Sequence, residues 1–148
     1  MPMRHLITIG YEGACLEDFL RTLVQLRVDT VVDVRELPLS RKKGFSKIRL
    51  STALAQIGVG YRHERGLGCP REIRVDLRST HDYVGYFAAF EKYLRTKDDV
   101  VDSIVKELRG RVALLCYERD ANYCHRKSIA DQINRRFSIS PRHVAVPA

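Results

Sequence analysis

Arg111-Val112-Ala113-Leu114-Leu115-Cys116-Tyr117 (RVALLCY) is the stretch on which the fold turns. It is an uninterrupted apolar run, the pattern of a strand covered on both faces. Working outward, Val100, Val101, Ile104, Val105 and Leu108 stand at helical spacing before it, and Gly110 closes that helix. After it, Ile129, Ile133 and Phe137 mark a helix that starts near Cys124 or His125, and His143 to Val146 reads as a last strand. His5 to Gly10 (HLITIG) and Asp29 to Val34 (DTVVDV) are two further buried strands, with an amphipathic helix from Cys15 to about Arg27 between them.

The middle of the chain is less regular. Pro38 and Gly44 break the segment Arg35 to Phe45 into a long loop. Leu50, Ala53, Leu54 and Ile57 mark a helix closed by Gly58, and Val59 to His63 is a third strand. Glu64 to Thr80 reads as mostly irregular, because it is rich in Gly and Arg. Tyr83, Tyr86, Phe87, Phe90, Tyr93 and Leu94 form an aromatic stripe at helical spacing, taken as core packing. Strands alternating with helices predict one α/β domain over residues 1–148, a mostly parallel three-layer arrangement with helices on both faces. Ile7–Gly10, Val31–Val34 and Val112–Cys116 should be neighbouring central strands.

The chain has 148 residues, 45% hydrophobic and 30% charged, which suits a packed core and argues against disorder. No apolar run reaches the length of a membrane helix. Met1-Pro2-Met3-Arg4-His5 lacks a leader's apolar core, so the chain is expected in the cytosol with reduced thiols. The formal net charge of +8 favours polyanions or phosphate-bearing ligands, although a plain solvated cationic face has the same signature.

Three segments follow strand ends and should meet at one rim of the sheet: Gly10-Tyr11-Glu12-Gly13, Asp33-Val34-Arg35, and Cys116 through Arg126. The last is the densest in chemistry. Cys116, Glu118, Cys124 and His125 are the candidate catalytic residues, with Asp33 beside them. A helix start at Cys124, with Arg126 adjacent, would favour a thiolate there. Cys116, in apolar surroundings, should shift the other way. Cys69 is expected to be exposed, and Cys15 to be inert helix filler.

A metal is the rival reading of Cys116, Glu118, Cys124 and His125. Neighbouring Cys124 and His125 would point apart on a helix, which weakens that reading, but the sequence does not choose between thiolate and metal. No metal ligand and no particular cofactor is assigned. For anions the candidates are Tyr11, Arg35, Arg126 and the basic run Arg41, Lys42 and Lys43. Asp33 and Arg35 share one face of their strand, as an internal salt bridge or as an orienting carboxylate and anion clamp.

Several of these segments together resemble a family. Thr8 to Gly13, Val32 to Arg41, Gly44 to Lys47, Gly60 to His63, Gly66 to Gly68, Leu115 to Glu118 and Cys124 to Arg126 are similar to the domain of unknown function 488, with the YeaO-like group more distant. That resemblance implies an α/β domain and no particular reaction. A looser likeness, to rhodanese-type sulfurtransferases, would give Cys116 the thiolate position.

Three functions stand. One is binding or processing of nucleic acid or another phosphate-bearing substrate. Another is a cysteine-thiolate enzyme of small anions, rhodanese-like or phosphatase-like. The third is a binding module without catalysis.

Overall fold

The computed structural model describes residues 3–147; Met1 and Pro2, the first two residues of the segment read for a leader, lie outside them. The strands are β1 (Met3–Gly10), β2 (Thr30–Asp33), β3 (Gly60–His63), β4 (Gly110–Cys116) and β5 (Pro141–Ala145). The helices are α1 (Leu16–Gln25), α2 (Lys47–Gln56), α3 (Arg71–Thr80), α4 (Tyr83–Leu94), α5 (Asp98–Glu107) and α6 (Arg126–Phe137). The strands make one sheet in the order β3-β2-β4-β1-β5, and each neighbouring pair runs parallel. The three most apolar runs are thus the central strands, as the sequence predicts.

Successive side chains of a strand point to opposite faces, so a buried parallel strand feeds two cores. Val112, Leu114 and Cys116 of β4 join one core with Phe90, Leu94, Val101, Ile104, Ile129 and Ile133 of α4, α5 and α6. Ala113 and Leu115 join the other, with Phe19, Leu23, Leu50 and Leu54 of α1 and α2. Helices therefore cover both faces, and no helix of the described residues is long and apolar enough to cross a membrane.

The connections place the functional rim. After β1 the chain passes along the α1 face to β2, on one side of the centre. After β4 it passes along the α6 face to β5, on the other side. Adjacent strands whose connections leave in opposite directions open a crevice at their carboxyl ends. Here that crevice lies between Gly10 and Cys116, which are register partners.

One expectation fails. Arg71–Thr80 of the segment read as irregular is helix α3. Its two glycines, Gly66 and Gly68, both precede Pro70, which caps the helix. Ile73 and Leu77, four residues apart, pack against the core. α3 buries no residue fully, so its apolar stripe is too thin to stand out among its arginines.

Candidate functional site

Two loops close over the crevice. Tyr11 N–H donates to the Cys116 carbonyl at 3.3 Å and Glu12 N–H to the Tyr117 carbonyl at 2.8 Å. Gly10 permits this crossing: a Cβ there would lie 1.7 Å from the Glu118 carbonyl oxygen. Arg126 then holds the crossing loop from below. Its Nη1 donates to the Glu118 carbonyl at 2.5 Å and its Nη2 to the Arg119 carbonyl at 3.2 Å. The guanidinium is fully buried.

Cys116, Cys124 and His125 converge beneath this loop. α6 begins only at Arg126, with His125 as its cap, and Cys124 has extended backbone (φ −134°, ψ 140°). The expectation that Cys124 and His125 diverge on a helix is therefore wrong. The bend between them turns both side chains inward. His125 Nδ1 lies 3.8 Å from Cys124 Sγ and 3.8 Å from Cys116 Sγ. Cys116 Sγ also lies 3.8 Å from Glu118 Oε2. The other imidazole nitrogen, Nε2, donates to the Val34 carbonyl at 2.7 Å. That bond orients the ring with Nδ1 facing the two sulfurs.

Burial and proximity set the charges. The Cys116 thiol hydrogen-bonds to Cys124 and is itself buried, and both hold it protonated well above the ordinary thiol range. Burial pushes Cys124 the same way, but the hydrogen bond from Cys116 and the neighbouring His125 and Arg126 outweigh it. Its thiol falls well below the ordinary range. Burial lowers His125, yet the Cys124 thiolate and the Val34 carbonyl raise it overall. Burial, then the Cys124 charge, lift Glu118 from 4.5 to about 7. The contrast between the two cysteines runs in the predicted direction, although Cys124 precedes the helix instead of starting it.

Above this group lies a cleft of about 470 Å³, of the size that accepts a small ligand. Cys116, Glu118 and His125 form its reactive floor; Cys124, just behind, does not line it. Tyr11, Tyr83, Tyr86, Tyr117 and Tyr123 supply aromatic walls, and Arg35, Arg74 and Arg78 supply cations. Arg35 is held by both Asp33 oxygens, Nε to Oδ1 at 2.8 Å and Nη2 to Oδ2 at 2.7 Å, and by Tyr11 Oη at 3.1 Å. Asp33 is fully buried, accepts a further bond from Tyr61 Oη at 2.6 Å, and does not line the cleft. The Asp33–Arg35 pair is thus the internal salt bridge of the two readings, and it fixes the direction of the Arg35 guanidinium.

The remaining predicted residues lie elsewhere. Arg126 is sealed below the loop, with no face on the cleft. Arg41, Lys42 and Lys43 line a separate depression with Lys47 and Arg49. Cys69 is buried where exposure was expected; it belongs to the same core as Tyr86 and Cys124 and lines the cleft. Cys15 is exposed and not filler: as the cap of α1 its Sγ accepts from Asp18 N–H at 3.5 Å. Sequence reasoning missed Arg74, Arg78, Tyr83, Tyr117 and Tyr123 as cleft residues. The first two stand on the unrecognised α3, which the Ile73–Leu77 spacing behind Pro70 could have disclosed.

The profile of the domain of unknown function DUF488 matches residues 15–133. The chain belongs to that family. The match takes in Arg35, Cys116, Glu118, Cys124 and His125, so the whole reactive floor of this DUF488 domain lies inside the shared region. No curated protein and no solved structure matches it.

Proposed function

We propose that this chain is an enzyme that holds a phosphate-bearing ligand of nucleotide type in the cleft and processes it with Cys116, Glu118, Cys124 and His125. One observation carries the reading. Guanidinium groups and tyrosine rings line the walls of the same cleft whose floor is a thiol, an imidazole and a carboxyl group. Rings accept a base by stacking, and guanidinium forks match phosphate oxygens. Tyr83, Tyr117 and Tyr123 are 39%, 47% and 51% exposed, so part of each ring is open to a ligand, while Tyr83 and Tyr123 brace each other at near right angles, centroids 5.0 Å apart. The net charge of +8 draws such ligands in.

The test is fluorescence anisotropy with a labelled mononucleotide and a labelled single-stranded oligonucleotide across a salt series. Both should bind at low salt and weaken as salt rises. Tyr123→Ala should weaken binding by roughly 5- to 150-fold, the equivalent of about 1–3 kcal/mol for one stacked base. No binding of either probe at low salt overturns the reading.

A second reading has its own support. Of the two converging sulfurs Cys116 reaches the cleft, and the Cys124 thiolate behind it can take the Cys116 proton, as a cysteine enzyme of small anions would need. Protection of Cys116 from alkylation by an inorganic anion, with nucleotides giving none, would favour it.

A further inference from the structure

We infer that Cys116, Cys124 and His125 form a site for one divalent metal ion of the zinc class, with the fourth coordination position facing the cleft beside Glu118. The three ligand atoms lie within 4.8 Å of one another, and all three residues are buried. In a tetrahedral zinc site, sulfur at about 2.3 Å and nitrogen at about 2.05 Å from the ion stand about 3.6 Å apart. The two sulfur-to-Nδ1 distances are 3.8 Å and 3.8 Å, so each sulfur–nitrogen pair needs to close in by only a few tenths of an ångström.

The ring is already prepared. Ligating histidines characteristically give their second N–H to a carbonyl or carboxylate, which fixes the tautomer and aims the lone pair. His125 does so with Val34 at 2.7 Å, leaving Nδ1 toward both sulfurs. Val34 N–H is in turn bonded to the Leu115 carbonyl of β4 at 3.1 Å, so this support belongs to the sheet itself. Phe90 meets the imidazole at near right angles, ring centroids 5.1 Å apart, and helps to bury it.

The donor set selects the ion. Two thiolates and an imidazole suit zinc and its analogues, and not magnesium, calcium or manganese, which take oxygen. Charge also balances: two thiolates offset the ion's two positive charges in a buried place. Binding expels the Cys116 thiol proton, and the one shared by Cys124 and His125, to solvent. Three protein ligands leave one position, the arrangement of zinc sites that hold water or substrate. Cys116, Glu118 and His125 line the cleft and Cys124 does not, so that position opens on the cleft side. A metal there takes both sulfurs out of any nucleophile role, unlike the small-anion reading above.

Cobalt(II) titration of the full chain tests this. The reduced protein is stripped with chelator, checked for its fold by circular dichroism and titrated without oxygen. One equivalent should bind with thiolate-to-cobalt charge-transfer absorption and the intense visible bands of a tetrahedral site, and zinc should displace it. Cys15→Ser should leave the spectrum and stoichiometry intact. Cys124→Ser and His125→Asn should each weaken binding by roughly 100-fold or more, since loss of even a supporting partner can cost that much. Should either variant misfold, the wild-type spectrum still decides. A folded wild type that binds no cobalt, or binds it with only the weak absorption of an oxygen-ligated ion, overturns the inference. Nucleotide binding by the metal-free protein is measured in parallel. The ligand reading and the metal reading can thus fail separately.

Discussion

Gly10→Ala probes the crossing on which the site depends. The new Cβ would sit 1.7 Å from the Glu118 carbonyl oxygen, 2.5 Å from its carbon and 3.1 Å from Arg119 N. An ordinary C···O contact is about 3.3 Å or more, so the strands and the loop must part by about 1.6 Å. All three atoms are backbone, and no side chain can swing aside. Overpacking of this kind costs about 1–3 kcal/mol. A second cost follows from Arg126. Its Nη groups are held by the Glu118 and Arg119 carbonyls, its Nε already has no partner, and it is fully buried. Pulling the loop away strands a buried cation, for which about 3–5 kcal/mol is the usual loss. The larger figure sets the scale, and at about 2–4 °C per kcal/mol the melting point should fall by about 6–20 °C. Gly13→Ala is the control: nothing lies within 4 Å, and its φ of +78° should cost only about 1–2 kcal/mol of backbone strain. Urea and thermal unfolding of the two variants decide the matter. A Gly10→Ala protein within about 1 kcal/mol of wild type would refute the reasoning, and with it the claim that Arg126 is committed to holding this loop.

Four further outcomes are expected. Cys15 should be alkylated by iodoacetamide well before the other three cysteines in the native fold. Cys69, raised by burial from 9.0 to about 11, keeps its proton in the folded chain at pH values where the unfolded chain has lost it. Folding stability should therefore fall by about 2–3 kcal/mol as pH rises from 9 to 11, and Cys69→Ala should flatten that part of the profile in pH-resolved unfolding. Asp33→Asn should cost about 3–5 kcal/mol in denaturant unfolding, because Arg35 loses a buried charge partner. Tyr61→Phe, which removes one hydrogen bond to the same carboxylate, should cost about 0.5–1.5 kcal/mol, or somewhat more for a charged acceptor.

The central strands were legible because a parallel strand buried on both faces has to be apolar throughout, and RVALLCY has no competing explanation. Their carboxyl ends followed from the alternation of strands and helices, which is why Tyr11, Arg35 and Cys116 could be placed on one rim. α3 was illegible for the opposite reason. It meets the core with only Ile73 and Leu77; its third apolar residue, Val75, is exposed, and its other positions are charged or polar residues. The aromatic stripe of α4 was half legible: Phe90 and Leu94 do pack in the core, but the helix start carries Tyr83 and Tyr86 to the cleft. Cysteine burial was misjudged because exposure depends on what a loop packs against. Gly68, where a Cβ would lie 2.3 Å from Glu36 N and Cα, presses the loop that carries Cys69 onto the β2 rim. The convergence of Cys124 and His125 hangs on one backbone bend before α6, which residue spacing does not encode.

The cleft and the basic run belong to one surface on the reading proposed above. Leu39 and Ser40 line both the cleft and the depression of Arg41, Lys42, Lys43, Lys47 and Arg49. Among the described residues none of those five cations makes an ion pair, whereas Arg35 and Arg74 in the cleft are each tied to a carboxylate. The division has a physical sense. A guanidinium fixed by Asp33 or Glu36 keeps its orientation but has part of its charge offset, which suits recognition of one phosphate in a set place. Unpaired lysines and arginines on an open loop keep their full charge and their freedom, which suits a phosphate chain held without regard to sequence. A mononucleotide would need only the first set. A strand whose end lies in the cleft would continue past Ser40 onto the second, so the gain in affinity from mononucleotide to oligonucleotide measures how far the ligand extends.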